Sequence, residues 1–173
     1  ETVEDGKIVS VADKEGNTYS GVQIGNQCWM AENLRATQYS DGTAIPLGTT
    51  TTTSSDTAHR YYPNSNQINV DEYGYLYNWQ AATKGLSSNL NSGKGVQGAC
   101  PRGWHIPTND EWTAMETEVN GAPVTYHDNI TYGGTHGGKL ATGCAWRDTT
   151  AAQSPGNYTF AERNASGFGA LPA

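Results

Sequence analysis

Four histidines (His59, His105, His127 and His136) and three cysteines (Cys28, Cys100 and Cys144) are the obvious candidates for acid–base, nucleophilic or metal chemistry. Their spacing argues against each use. No C-x-x-C occurs, and no histidine sits at zinc-ligand spacing from a cysteine, so a structural zinc site is not expected. Neither H-E-x-x-H nor a G-x-S-x-G elbow is present. His105, between Trp104 and Ile106, reads as a core or capping histidine. Asp110 and Glu111 are adjacent carboxylates, but successive helical residues point in different directions. Thr108 and Glu111 form a capping box instead, hydroxyl to one orphan N–H and carboxylate back to another. No catalytic residue is expected.

Two glycine patterns resemble nucleotide motifs. Gly93 to Gly98 spells G-x-G-x-x-G, but polar Ser-Ser-Asn-Leu-Asn-Ser precedes it and Cys100-Pro101 follows. A dinucleotide fingerprint needs a hydrophobic strand before it and a helix after. Gly133 to Lys139 spells G-x-x-x-x-G-K, with Leu140 where the magnesium-binding hydroxyl belongs. Both read as glycine-rich loops, and no cofactor is expected. Calcium could draw on Asp71, Glu72 or the asparagine-rich loops, although no run follows the D-x-[DN]-x-[DN]-G ligand order. The odd cysteine count fits one disulfide plus a free thiol, or a partner outside this chain; three buried apolar thiols are the alternative.

Binding chemistry is better represented. Tyr61, Tyr62, Tyr73, Tyr75, Tyr77 and Trp79 can supply a sugar-stacking platform, with Tyr61, Tyr62 and Tyr73 as the candidate binding face; burial in a core is the competing fate. Sequons begin at Asn129, Asn157 and Asn164. The chain has 173 residues, a net charge of −7 and a pI of about 4.9. With no Lys/Arg cluster, nucleic acid or an anionic membrane is not an expected partner. No apolar run reaches the ~18 residues that span a bilayer. Glu1 is no translation start, so the N-terminus is expected to be processed or trimmed. Charged residues are only 16%, and the Thr/Ser/Asn/Gly/Tyr-rich composition suggests an extracellular protein.

The elements that would position these groups are few. A turn at Asp13–Asn17 leads into alternating Tyr19, Val22 and Ile24, and Gly25-Asn26 is a hairpin turn within an N-terminal hairpin over about 17–35. Gly48 to Ser55 is a Thr/Ser-rich tract, exposed or sugar-bearing. Leu76, Trp79 and Thr83 share a face of a helix expected over about 76–84, closed by Gly85. Trp112, Met115 and Val119 mark the stripe of a second helix over about 108–120, ended by Gly121 and Pro123. A single domain spanning 1–173 is expected.

Six segments in order carry a resemblance: D-K-E-G-N-T-Y (13–19), I-G-N-Q-C-W-M-A-E-N-L (24–34), Y-S-D-G-T-A-I-P (39–46), Y-G-Y-L-Y-N-W (73–79), C-P-R-G-W-H-I-P-T-N-D-E-W (100–112) and S-G-F-G-A-L-P-A (166–173). Together they resemble the Fibrobacter succinogenes major paralogous domain, found in secreted and surface proteins of Bacteroidetes and related bacteria. The resemblance implies an α+β, C-type-lectin-like fold: a small twisted antiparallel sheet, two helices and long loops. It implies no catalytic residues. Asp56-Thr57-Ala58 and Asp148-Thr149-Thr150 resemble the acceptor of Bacteroidetes protein O-glycosylation, which makes Thr57 and Thr149 candidate sugar sites.

The family pattern usually continues past this point with G-Y-R, F-W-S-S and a closing strand containing V-R-C. That strand's cysteine would be the implied partner of Cys100. Its absence here leaves two expectations: an unseen remainder, or a strand supplied by a neighbouring copy in a filament. The expected function is a non-enzymatic extracellular or cell-surface structural or adhesive module, self-associating or bound to a neighbouring surface protein. The alternative is a carbohydrate- or protein-binding lectin-like domain. A more remote one is an enzyme, because W-H-I-P-T-N-D-E-W is similar to a stretch of formylglycine-generating sulfatase modifiers; their catalytic cysteines lie in a C-terminal region without a counterpart here.

Overall fold

A computed structural model describes residues 10–49, 56–86, 95–123, 126–127, 131–132, 136–141 and 165–168. In chain order the strands are β1 (Ser10–Ala12), β2 (Thr18–Ile24), β3 (Gln27–Met30), β4 (Arg60–Tyr61), β5 (Leu76–Tyr77), β6 (Tyr126–His127) and β7 (Thr131–Tyr132). The helices are α1 (Val70–Tyr73), α2 (Trp79–Thr83), α3 (Asn109–Asn120) and α4 (His136–Leu140), with 3-10 turns at Pro63–Ser65 and Gln67–Asn69. The described strands form a three-stranded sheet of order β1-β2-β3 and two antiparallel ribbons, β4-β5 and β6-β7. This is an α+β protein with antiparallel sheets and few helices. It divides into two compact units.

The first unit holds Ser20–Glu32 and the described residues from Asp110 onward. Its hairpin pairs Val22 with Trp29, Gln23 with Cys28 and Ile24 with Gln27. Gly25 opens the two-residue loop with φ of 57°, the left-handed value such a loop asks of its first residue. Strand alternation puts Val22, Ile24 and Trp29 on one face and leaves Cys28 exposed on the other. That apolar face joins Met115 and Leu140 in a core bordered by Val119 and Phe168. The Trp29 ring lies 4.9 Å from Trp112 and 6.0 Å from Phe168. Lys139 donates from Nζ to the Val119 carbonyl at 2.8 Å, placing a cation at the negative end of α3.

The second unit holds Ser10–Tyr19 and Asn33–Asn109. Its small core contains Tyr39, Ile45, Ala81 and Ala99, bordered by Leu34, Ala58 and Tyr77. Side-chain hydrogen bonds to loop backbone do much of the holding here. Asp13 accepts from the N–H groups of Glu15 and Asn17, both at 2.9 Å, and from the Tyr19 hydroxyl at 2.7 Å. Tyr19 is fully buried, and its oxygen in turn accepts the Arg35 N–H at 3.0 Å. Tyr77 donates its hydroxyl to the Ala36 carbonyl at 2.7 Å, while Tyr75 N–H donates to Leu34 at 2.9 Å. Burial raises the pKa of both the Tyr19 and the Tyr77 phenols; the Asp13 hydrogen bond adds to the shift at Tyr19.

The helix expected over about 76–84 is shorter in the structure. Leu76 and Tyr77 are strand, paired with Tyr61 and Arg60, and α2 starts only at Trp79. Asn78 sets that start: its side chain accepts from Ala81 N–H at 2.9 Å. Leu76 and Trp79 are exposed, at 55% and 51%, whereas Thr83 is buried, so the three do not share one environment. Lys84 takes the left-handed cap conformation (φ 60°) one residue before Gly85.

Candidate functional site

The β4-β5 ribbon gathers the aromatic residues. Strand pairing sets Arg60 opposite Tyr77 and Tyr61 opposite Leu76, so the two pairs occupy opposite faces. On the Arg60 face, the Tyr62 and Tyr75 rings are 5.8 Å apart and tilted by 31°. Tyr75 meets Tyr77 edge-on at 6.4 Å. The Arg60 guanidinium lies 5.0 Å over the Tyr75 ring, within cation–π range. Arg60 Nη1 also donates to the Ile45 carbonyl, while its buried Nε has no partner among the described residues. On the opposite face, the Tyr61 ring covers Gly48 so closely that a Cβ there would stand 2.3 Å from it. His59 borders Tyr61 at 6.2 Å.

The candidate aromatics therefore separate. Tyr62 joins an array with Tyr75 and Tyr77, Tyr61 faces the other way, and Tyr73 sits half-buried at the end of α1, its carbonyl accepting from Asn33 at 3.0 Å. The residue missed in the sequence was Arg60, a lone cation without a motif. The every-second-residue spacing of Tyr75 and Tyr77 was the available signal that they share a side.

A cleft of about 440 Å3 adjoins the array, lined by Gln67, Ile68, Val70, Asp71 and Tyr75. Its wall is a short turn–helix segment fixed by its own side chains. Asn66 accepts from Ile68 N–H at 3.2 Å, and Asn69 donates to the Pro63 carbonyl at 2.9 Å. Asn64 and Ser65 hold left-handed φ values of 50° and 56°. Asp71 and Glu72, the calcium candidates, are both exposed. No group of three or more His, Cys, Asp or Glu side chains among the described residues gathers to hold a metal.

The remaining candidates lie apart from the array. Thr57 is exposed, with Oγ1 3.3 Å from His59 Nδ1 and its carbonyl accepting from Asn78 at 2.7 Å. Cys28 is exposed on β3; Cys100 is half-buried, and burial pushes its thiol up to about 11; neither forms a disulfide among the described residues. Thr149 and Cys144 lie outside the described residues. His105 is exposed rather than in a core, and its ring rests on Gly95, where a Cβ would stand 1.8 Å away. Gly98 approaches the Ala82 carbonyl equally closely. Two glycines of the G-x-G-x-x-G pattern thus serve close packing. Gly138 and Lys139 lie within α4, not in a phosphate-cradling loop.

No helix among the described residues is long and apolar enough to cross a membrane. No curated protein and no solved structure matches the chain. The model of one family, the Fibrobacter succinogenes major domain, matches residues 22–173. The chain belongs to the Fibrobacter succinogenes major domain family.

Proposed function

We propose that this domain is a non-enzymatic extracellular or cell-surface module with a C-type-lectin-like fold, adhesive in role, that engages a glycan or a protein through the Arg60 face of its β4-β5 ribbon. One observation carries the reading: Tyr62, Tyr75 and Tyr77 form a contiguous, half-buried array braced by Arg60. Tyrosine offers a large amphipathic surface and loses little conformational entropy on contact, which suits recognition. The lectin-like part of the proposal draws on the antiparallel α+β architecture and the loop-held second unit.

The experiment is an adhesion assay on immobilised polysaccharides and surface proteins, comparing wild type with Tyr62→Ala and Tyr75→Ala. Loss of about tenfold in binding, with circular dichroism unchanged, is the expected result for aromatic contacts of this size. Variants that adhere as well as wild type would remove the array from the function.

A further inference from the structure

The cleft beside the array has a composition that selects a ligand by charge. Its one formal charge is the exposed Asp71 carboxylate, and no Lys or Arg lines it. A phosphate, sulfate or carboxylate ligand would be repelled by that charge, and the nearby Arg60 guanidinium is already engaged with the Tyr75 ring and the Ile45 carbonyl. A cationic ligand would be drawn to Asp71 but opposed at the Tyr75 ring. The Tyr75 ring already carries the Arg60 guanidinium at 5.0 Å, so an ammonium seeking the same ring is opposed by a fixed positive charge. Neutral ligands escape both penalties.

The lining is amphipathic. Gln67 offers an amide donor and acceptor, and Asp71 two acceptor oxygens. Ile68, at 77% exposure, presents its aliphatic surface to solvent, and Tyr75 adds an aromatic one. A sugar ring has the matching character: an apolar C–H face and a rim of hydroxyls that donate to a carboxylate. The cleft is open to solvent, with a volume of about 440 Å3. The wall is preorganised by the Asn66 and Asn69 hydrogen bonds, which lowers the entropy lost on binding.

We propose that this cleft binds a neutral sugar ring, with Asp71 and Gln67 accepting and donating to its hydroxyls and Ile68 and Tyr75 covering its C–H face. This rests on the recognition reading above and names the ligand class for the same region.

The test is a 1H–15N NMR titration of the full 173-residue chain. The probes are neutral trisaccharides (gluco-, manno-, galacto- and xylo-series), an oligogalacturonate as the anionic probe and a chitosan trimer as the cationic one. At least one neutral trisaccharide is expected to shift the Ile68, Asp71 and Tyr75 amides and to outbind both charged probes. Asp71→Ala is expected to weaken that binding about tenfold, the usual scale for a lost hydrogen bond to a charged group. Gln67→Ala is expected to weaken it by less. Neutral sugars that leave those amides unmoved, or a charged probe that binds more tightly, would overturn the proposal. A sugar whose binding falls with Tyr62→Ala but not with Asp71→Ala would overturn the cleft assignment and leave the recognition reading standing.

Discussion

The hairpin–helix unit and the loop-rich unit are held by different interactions. In the first, Ile24, Trp29, Met115 and Leu140 pack into an apolar core and the aromatic rings of Trp29, Trp112 and Phe168 touch. In the second, tyrosine hydroxyls act as hydrogen-bonded staples. Tyr19 links Asp13 to the Arg35 backbone, and Tyr77 reaches the Ala36 carbonyl. The difference lies in which side chains are buried: Leu47, Ile68, Leu76 and Leu86 of the second unit stay exposed, and its loop backbone groups are satisfied by side chains instead. Such a unit can keep irregular loops ordered, as a surface that presents aromatic rings requires.

Two glycines sharpen the contrast most strongly. Gly98 in the loop-rich unit and Gly121 after α3 both have positive φ, 51° and 77°. A Cβ at Gly121 meets nothing within 4 Å, whereas at Gly98 it would stand 1.8 Å from the Ala82 carbonyl oxygen. Gly98→Ala is expected to cost about 4 kcal/mol, summing left-handed strain and overpacking. Gly121→Ala should cost about 1 kcal/mol, the strain alone. Urea denaturation of both variants measures this; equal losses would refute the close approach at Gly98.

Met115→Ala is expected to cost about 3 kcal/mol through lost burial and a residual cavity. Tyr19→Phe removes one hydroxyl and leaves the Arg35 N–H and the Asp13 carboxylate each short of a partner, for about 2 kcal/mol. Equilibrium unfolding should rank them in that order. A neutral Tyr19→Phe would mean that the staple contributes nothing.

Alkaline pH should weaken the fold through the loop-rich unit. The Cys100 thiol is raised from 9.0 to about 11 by burial. A raised folded-state pKa means that its contribution is complete below about 9 and is lost as the pH climbs through about 11. The loss is on the order of 2 kcal/mol. The raised Tyr19 and Tyr77 phenols act in the same direction, from the ordinary tyrosine range upward. Stability measured from pH 8 to 11 should fall, and Cys100→Ala should flatten the first part of that fall.

The smallest effect belongs to the exposed pair of Lys84 and Asp41. The Lys84 hydrogen bond, followed by those from Thr43, holds the Asp41 carboxyl down to about 2. Its contribution is present above the ordinary aspartate pKa and disappears as pH falls through about 2. Solvent and salt screen a pair this exposed. Carbon-detected NMR titration should find the depressed value at low salt and a rise toward normal in molar salt; a normal value at low salt would mean that the pair does not form.

The apolar unit was the more legible from sequence. Alternation through Val22, Ile24 and Trp29 around Gly25-Asn26 marks its hairpin, and the Thr108/Glu111 pattern with Trp112, Met115 and Val119 marks α3. The loop-rich unit was less so, because its organising contacts join residues far apart in sequence without periodicity. The turn at Asp13–Asn17 could be read, but not the link from Tyr19 to Arg35. Leu76 and Tyr77 fit a helical spacing and became strand because Arg60 and Tyr61 pair with them and Asn78 caps the helix that follows. At the site, the aromatic residues were visible as a set, whereas the division of Tyr61 from Tyr62 and the part of Arg60 depended on that same two-residue pairing.

The central claim is that side-chain staples order the loop-rich unit as firmly as apolar packing orders the other. Native-state amide hydrogen exchange tests it directly. The Arg35 amide, bonded to the Tyr19 hydroxyl, should exchange as slowly as the amides of the hairpin, and Tyr19→Phe should release it selectively. Exchange of the Arg35 amide at open-loop rates in the wild-type protein, with the hairpin still protected, would contradict the account.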